Sequence, residues 1–132
     1  MRNDMDSMNA GKAMAQASHA SNAFMHKANK GGLLEPFGPS SLNKKLIKKW
    51  QKETNQGFGT VLVLATNNQQ LNDVCADAGY HGFMSELILD PSYPVRDGDV
   101  CHSISVNTCG YIFGDKNSKQ LKQILKELAL HP

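Results

Sequence analysis

Lys12, Gln16 and His19 stand at spacing i, i+4 and i+7, so a helical segment would line up an ammonium, an amide and an imidazole along one face. An imidazole with an intrinsic pKa of about 6.5 can give or take a proton near neutral pH. An ammonium close to a helix N-terminus attracts an oxyanion or a phosphate, and the helix dipole adds to that attraction. A solvated helix surface produces the same stripe, and a lone helical histidine is more often structural than catalytic. Ala15 and Ala20 flank the stripe. Such small neighbours would let a substrate or another chain segment come close.

Several other chemistries are excluded by spacing. Gly57-x-Gly59 precedes a predicted strand, whereas a dinucleotide fingerprint follows one and opens a helix. Gly11-Lys12 is followed by Ala13 and preceded, five positions back, by Asp6, so it is not a Walker A loop. No Gly-x-Ser-x-Gly elbow occurs. Ser18 and His19 are helix neighbours whose side chains diverge by about 100°, so they cannot form a nucleophile–base pair. No metal is expected: there is no Cys-x-x-Cys, and His19 and His26 would sit about 10 Å apart along one helix. Three cysteines are odd in number and too few for a disulfide scaffold. Cys101 and Cys109 fall on one predicted extended segment, beyond bridging distance. Free thiols fit a reducing cytoplasm, the expected location.

The elements that must carry these residues follow from periodicity. The spacing predicts a helix over 10–29, with Ala13, Ala17, Ala20 and Phe24 inward, Asn9 as N-cap and Gly31-Gly32 as the stop. Residues 33–39 read as a loop with two prolines. Ser40 or Ser41 caps a second helix to about Thr54, with Leu42, Leu46, Ile47 and Trp50 on its apolar side. Thr60 to Thr66 is a continuous apolar, β-branched run that fits a strand buried on both faces. Asn67 or Asn68 opens a third helix ended by Gly79, and Phe83 to Leu89 is the next strand. Asp90 to Pro94 reads as a turn and 95–99 as a loop with an Asp97-Gly98 signal. Ile104 to Phe113 is a strand with a possible earlier portion from Val100, and Asn117 or Ser118 opens the last helix, with core positions to Leu128 and beyond. The alternation predicts an α/β fold, a three-layer α/β/α sandwich around a small mixed sheet of four strands, in a single domain over 1–132.

Composition agrees with a folded domain of this kind. The chain has 132 residues, 40% of them hydrophobic, which suits one globular core and excludes a disordered or fibrous chain. Its longest apolar run, Val61 to Ala65, is too short for a membrane helix of ~20 residues. Asp4, Asp6, Asn9 and Lys12 interrupt the first 30 residues, so no signal peptide is expected. The formal charge is only +2, but Lys44, Lys45, Lys48, Lys49 and Lys52 lie close together with no acid between Glu35 and Glu53. Such a block is either a solvated helix face or a phosphate-binding stripe.

The segment Gly11-Lys12-Ala-Met-Ala15-Gln16-Ala-Ser18-His19-Ala20 resembles the Gly-Lys-x-x-Ala-Gln-x-Ser-His-Ala signature of the type II peptidyl-tRNA hydrolases. Arg2-Asn-Asp4-Met5 is similar to the end of that family's first strand, Leu89-Asp90 to its acidic position after the third, and Thr108 with Gly114 to its fourth. The family usually continues the acidic residue as Asp-Ala-Gly-x-Thr. Here the continuation is Asp90-Pro91-Ser92-Tyr93-Pro94, so proline replaces the threonine, and Ser92 or Tyr93 is left to supply a hydroxyl. The family's first strand also runs several residues upstream of the Arg-x-Asp segment. The expectation is therefore either a natural start before Met1 or strand pairing supplied from elsewhere.

The resemblance implies hydrolysis of the ester between a peptidyl group and the tRNA 3′ ribose, without a cofactor. That reaction needs an activated water, a stabilised oxyanion and a protonated leaving group. It assigns Asp90 to the water, with His19 as acid or base, Lys12 to an oxyanion or phosphate, and Thr108 to positioning water or the ribose. Gly11, Gln16 and Ser92 support the site. The partner would be tRNA, held in part by the five-lysine block, and a homodimer is left open. A competing expectation is a non-catalytic RNA-binding or protein-interaction module on the same fold. A third is a small α/β protein with an unrelated ligand and a chance motif.

Overall fold

Side-chain caps set where the helices begin. The computed structural model describes residues 1–30 and 39–132. Within them, α1 spans Ala10–Asn29, α2 Ser41–Gln51, α3 Asn68–Tyr80 and α4 Lys119–Leu125. Asn9, Ser40, Asn67 and Ser118 each accept a backbone N–H from the first turn of the following helix. Gln70 completes a capping box with Asn67. Gly31-Gly32 and all of the predicted proline loop except Pro39 lie outside the described residues.

The long hairpin comprises β1 (Met84–Asp97) and β2 (Val100–Phe113). Its strands pair antiparallel from Met84↔Phe113 to Asp97↔Val100. Gly98, at φ +60°, opens the two-residue tip, where a positive φ favours glycine. The predicted turn over 90–94 and loop over 95–99 are therefore strand and hairpin tip. Two prolines did not end β1, because among the described residues β1 has a strand neighbour on one side only and Pro91 sits where the register shifts.

The expected mixed sheet of four strands is overturned. Among the described residues the only sheet is this two-stranded antiparallel one. The apolar run 60–66 makes two isolated bridges, Leu64↔Leu130 and Arg2↔Thr66. Val61 is 70% exposed and Leu62 68%, where burial on both faces was expected. Apolar, β-branched composition does not make a strand without partners for its main chain. Met1 to Asn3 is the short stretch bonded to both flanks: Arg2 N–H donates to Thr108 O (3.0 Å), Asn3 N–H to Thr66 O (2.9 Å), and Thr66 N–H to Met1 O (2.9 Å). Beside them the gap between 61–64 and the end of β2 opens as a cavity of about 660 Å³, with Phe24, Leu71 and Ile112 among its walls. The last helix also stops early. Past Leu125 the chain turns to bond residues 63–65, through Ala65 N–H to Ala129 O and His131 N–H to Val63 O, each at 2.8 Å.

The helices α1 and α3 pack on opposite faces of the hairpin. Met84 and Phe113 join Phe24 of α1, whereas Ser85 bonds the Cys75 carbonyl of α3 and Gly110 abuts Cys75 and Leu71. Phe24 is the hub of the α1 side, with ring centroids 4.9 Å from Phe113, 5.5 Å from Tyr111 and 5.6 Å from Trp50 of α2. Burying such a ring contributes about 2–3 kcal/mol. On the α3 side, a Cβ at position 110 would lie 2.8 Å from the Glu86 carbonyl oxygen and 2.9 Å from Cys75 Sγ. Gly110→Ala should therefore lower stability by about 1–3 kcal/mol, read as a fall of several degrees in the melting temperature. An unchanged melting temperature would show that α3 can back away from the hairpin.

Candidate active site

Two irregularities in the hairpin bring the predicted residues together. The register slips between Ile88↔Cys109 and Leu89↔Asn107, leaving Thr108 as an extra residue on β2. Alternation breaks there, so both Thr108 and Cys109 reach α1: Thr108 Oγ1 donates to Gln16 Oε1 (2.6 Å) and Cys109 Sγ to the Gln16 carbonyl (3.3 Å). The register slips again between Asp90↔Val106 and Tyr93↔Ile104, leaving Pro91 and Ser92 unpaired. Asp90 thus lies inside β1 rather than at a strand end, immediately before this second bulge.

Gln16 links the two bulges. It is 3% exposed, and its Nε2 donates to Asp90 Oδ2 at 2.6 Å. A hydroxyl on its oxygen and a carboxylate on its nitrogen leave one sensible amide orientation. The other Asp90 oxygen accepts the Ser92 N–H at 3.0 Å, an Asx-type turn. Both carboxylate oxygens are therefore oriented, and each retains a lone-pair site for a further donor. Ser92 serves the site through its main chain.

Lys12 reaches the same region from the first turn of α1. Its Nζ donates to the Pro94 carbonyl at 2.6 Å and lies 4.8 Å from the Tyr93 ring centroid. Gly11 is exposed beside it. His19 lies three residues beyond Gln16 on the same flank of the helix, exposed and without a hydrogen bond or ion pair among the described residues. The structure thus joins Gln16, Asp90 and Thr108 by hydrogen bonds, sets Lys12 on Pro94 further along the same strand, and leaves the imidazole exposed.

Burial changes two expectations. Thr108, expected to position water or the ribose, is 0% exposed with its hydroxyl directed to Gln16. The Tyr93 hydroxyl is also engaged within the protein. That group accepts from Ser7 Oγ at 3.3 Å and donates to Met8 Sδ at 3.7 Å. Residues 2 and 4 contribute what was not foreseen. Arg2 Nη1 donates to the Asn107 carbonyl at 3.2 Å, next to the Thr108 bulge, and its Nε pairs with Asp4 at 2.8 Å. The Arg2 hydrogen bond holds the Asp4 carboxyl below its ordinary range, assisted by the Asn68 N–H. A basic residue two positions before an acid was the available signal, but its target on β2 is non-local.

The electrostatics favour oxygen chemistry over thiol chemistry. Burial raises the Cys109 pKa and pushes Cys75 up to about 11, so both remain protonated near neutral pH. Among the described residues no group of three His, Cys, Asp or Glu side chains is placed to hold a metal ion. No helix among them is long and apolar enough to cross a membrane. The polar groups carried by α1 and β1 are a carboxylate with fixed oxygens, an ammonium on the Pro94 carbonyl and an exposed imidazole one helical turn from Gln16. This set can orient a water, attract an anionic oxygen and exchange a proton.

The lysine block occupies α2 and its C-cap. Lys44, Lys45, Lys48, Lys49 and Lys52 are all exposed, while Asn43 and Ile47 are buried. The α2 contact with α1 is at Phe24, about 12 Å along the helix axis from Gln16. No curated protein and no solved structure matches the chain. The family model described as peptidyl-tRNA hydrolase PTH2 matches residues 1–131, and the chain belongs to that family.

Proposed function

We propose that this protein hydrolyses the ester of peptidyl-tRNA, or of N-blocked aminoacyl-tRNA, releasing free tRNA. The observation that carries the reading is the Asp90 carboxylate, held by the Gln16 amide and the Ser92 N–H, with the Lys12 ammonium on the Pro94 carbonyl four residues further along β1. Asp90 orients and deprotonates the attacking water. Lys12 meets the oxyanion that forms on the ester carbonyl, or a neighbouring phosphate. His19, exposed at the rim, protonates the departing ribose oxygen. Gln16 and Thr108 keep the carboxylate in place. Release of labelled peptide from N-blocked aminoacyl-tRNA tests this directly, with His19→Ala beside the parent. Tight tRNA binding without turnover by the parent would favour a binding module instead.

The α2 lysines extend the reading to the body of the tRNA. Exposed cations along a helix supply salt-dependent affinity by displacing counterions from phosphates. Replacing Lys44, Lys48 and Lys52 with glutamine should weaken tRNA binding and reduce the slope of log K against log salt by about two. An unchanged slope would return these lysines to a solvated face.

A further inference from the structure

Lys12 of α1 and Asp90 of β1 carry opposite charges where these two elements meet, yet no ion pair joins them among the described residues. The ammonium is engaged elsewhere, on the Pro94 carbonyl at 2.6 Å and over the Tyr93 ring at 4.8 Å. Tyr93 is 0% exposed. Its hydroxyl is tied to Ser7 and Met8, ahead of α1, while its backbone pairs with Ile104 of β2. The ring is therefore held by groups that do not depend on Lys12. Positions 90 and 93 would face opposite sides of a regular strand. The Pro91-Ser92 bulge changes the phase, so Asp90 meets Gln16 and the Tyr93 ring meets Lys12, both on α1.

We propose that Tyr93, acting with the Pro94 carbonyl, is a positioning residue that keeps the Lys12 ammonium apart from the Asp90 carboxylate and presents it to an anionic oxygen of the substrate. The proposal rests on the hydrolase reading above and assigns a role to the segment in which this chain departs from the family pattern. An aromatic face attracts a cation without occupying one of its N–H bonds. Lys12 has three such bonds and gives one to Pro94, so two remain for substrate. A carboxylate partner would instead neutralise the cation and consume the base in the same contact.

The test is a double-mutant cycle with a spectroscopic companion. Tyr93→Leu should lower kcat/KM roughly tenfold, and Tyr93→Phe, which keeps the ring, should recover most of that loss. In a Lys12→Gln background Tyr93→Leu should cost nothing further, because the group it positions is gone. An equal loss in both backgrounds would make Tyr93 a structural support only and overturn the proposal. The ring current should shift the Lys12 Hε protons upfield in the parent and in Tyr93→Phe, but not in Tyr93→Leu. Tyr93→Met serves if the leucine variant does not fold, and the parent's shift needs no variant. Turnover by a parent lacking the shift would remove the placement and spare the hydrolase reading. The shift in a parent without turnover would keep the placement and remove the hydrolase reading.

Discussion

Asp90→Asn should reduce peptide release from N-blocked aminoacyl-tRNA by about a thousandfold while leaving the fold intact. The substitution is nearly isosteric, and the surrounding hydrogen bonds can reset around it. The asparagine oxygen can still accept the Ser92 N–H. Its new amide would confront Gln16 Nε2, but a half-turn of the Gln16 amide presents Oε1 to it. The Thr108 hydroxyl, which now donates to Gln16, then accepts instead. The Thr108 proton then has, among the described residues, only Cys109 Sγ, 3.9 Å away, as an acceptor, so stability should fall by about 1–2 kcal/mol. The negative charge and the proton acceptor are lost. The check is single-turnover kinetics beside thermal melting. Full activity in the variant would remove Asp90 from the chemistry.

Gln16→Leu should be costly in both stability and rate, and for separable reasons. Leucine fills similar space but leaves the fully buried Thr108 hydroxyl without its acceptor, at about 1–3 kcal/mol. It also removes the donor that aims Asp90 Oδ2, which should cost about a hundredfold in kcat/KM. Adding Thr108→Val removes the orphaned hydroxyl and should restore much of the melting temperature. It supplies no donor to Asp90, so the rate should stay low. Recovery of rate together with stability would show that Gln16 merely holds the fold.

The parts of this architecture readable from the sequence are those fixed by neighbours along the chain. Each N-cap bonds three residues ahead, so Asn9, Ser40, Asn67 and Ser118 were within a residue of their expected places. The Lys12, Gln16 and His19 stripe follows from helical spacing alone. What depended on remote partners was misjudged. Residues 60–66 have a strand's composition, but strand formation is decided by the chains beside them, and Met1 to Asn3 bonds only the far end of that run. Pro91 and Pro94 looked like the end of a strand because their cost depends on whether an edge or a bulge accommodates them. The two bulges place Thr108 and Asp90, and no local pattern announces a bulge. Tyr93 was weighed for its hydroxyl, whereas the hairpin makes use of its ring.

The unfilled gap beside Met1 to Asn3 also bears on how the protein behaves in concentrated solution. Val61 and Leu62 expose apolar side chains and pair with no strand among the described residues, and Leu130, opposite Leu64, is 66% exposed. Unpaired strand edges of this kind template stacking between molecules. Light scattering should therefore rise with protein concentration, and Leu62→Lys, which places a charge on that edge, should suppress the rise without altering turnover.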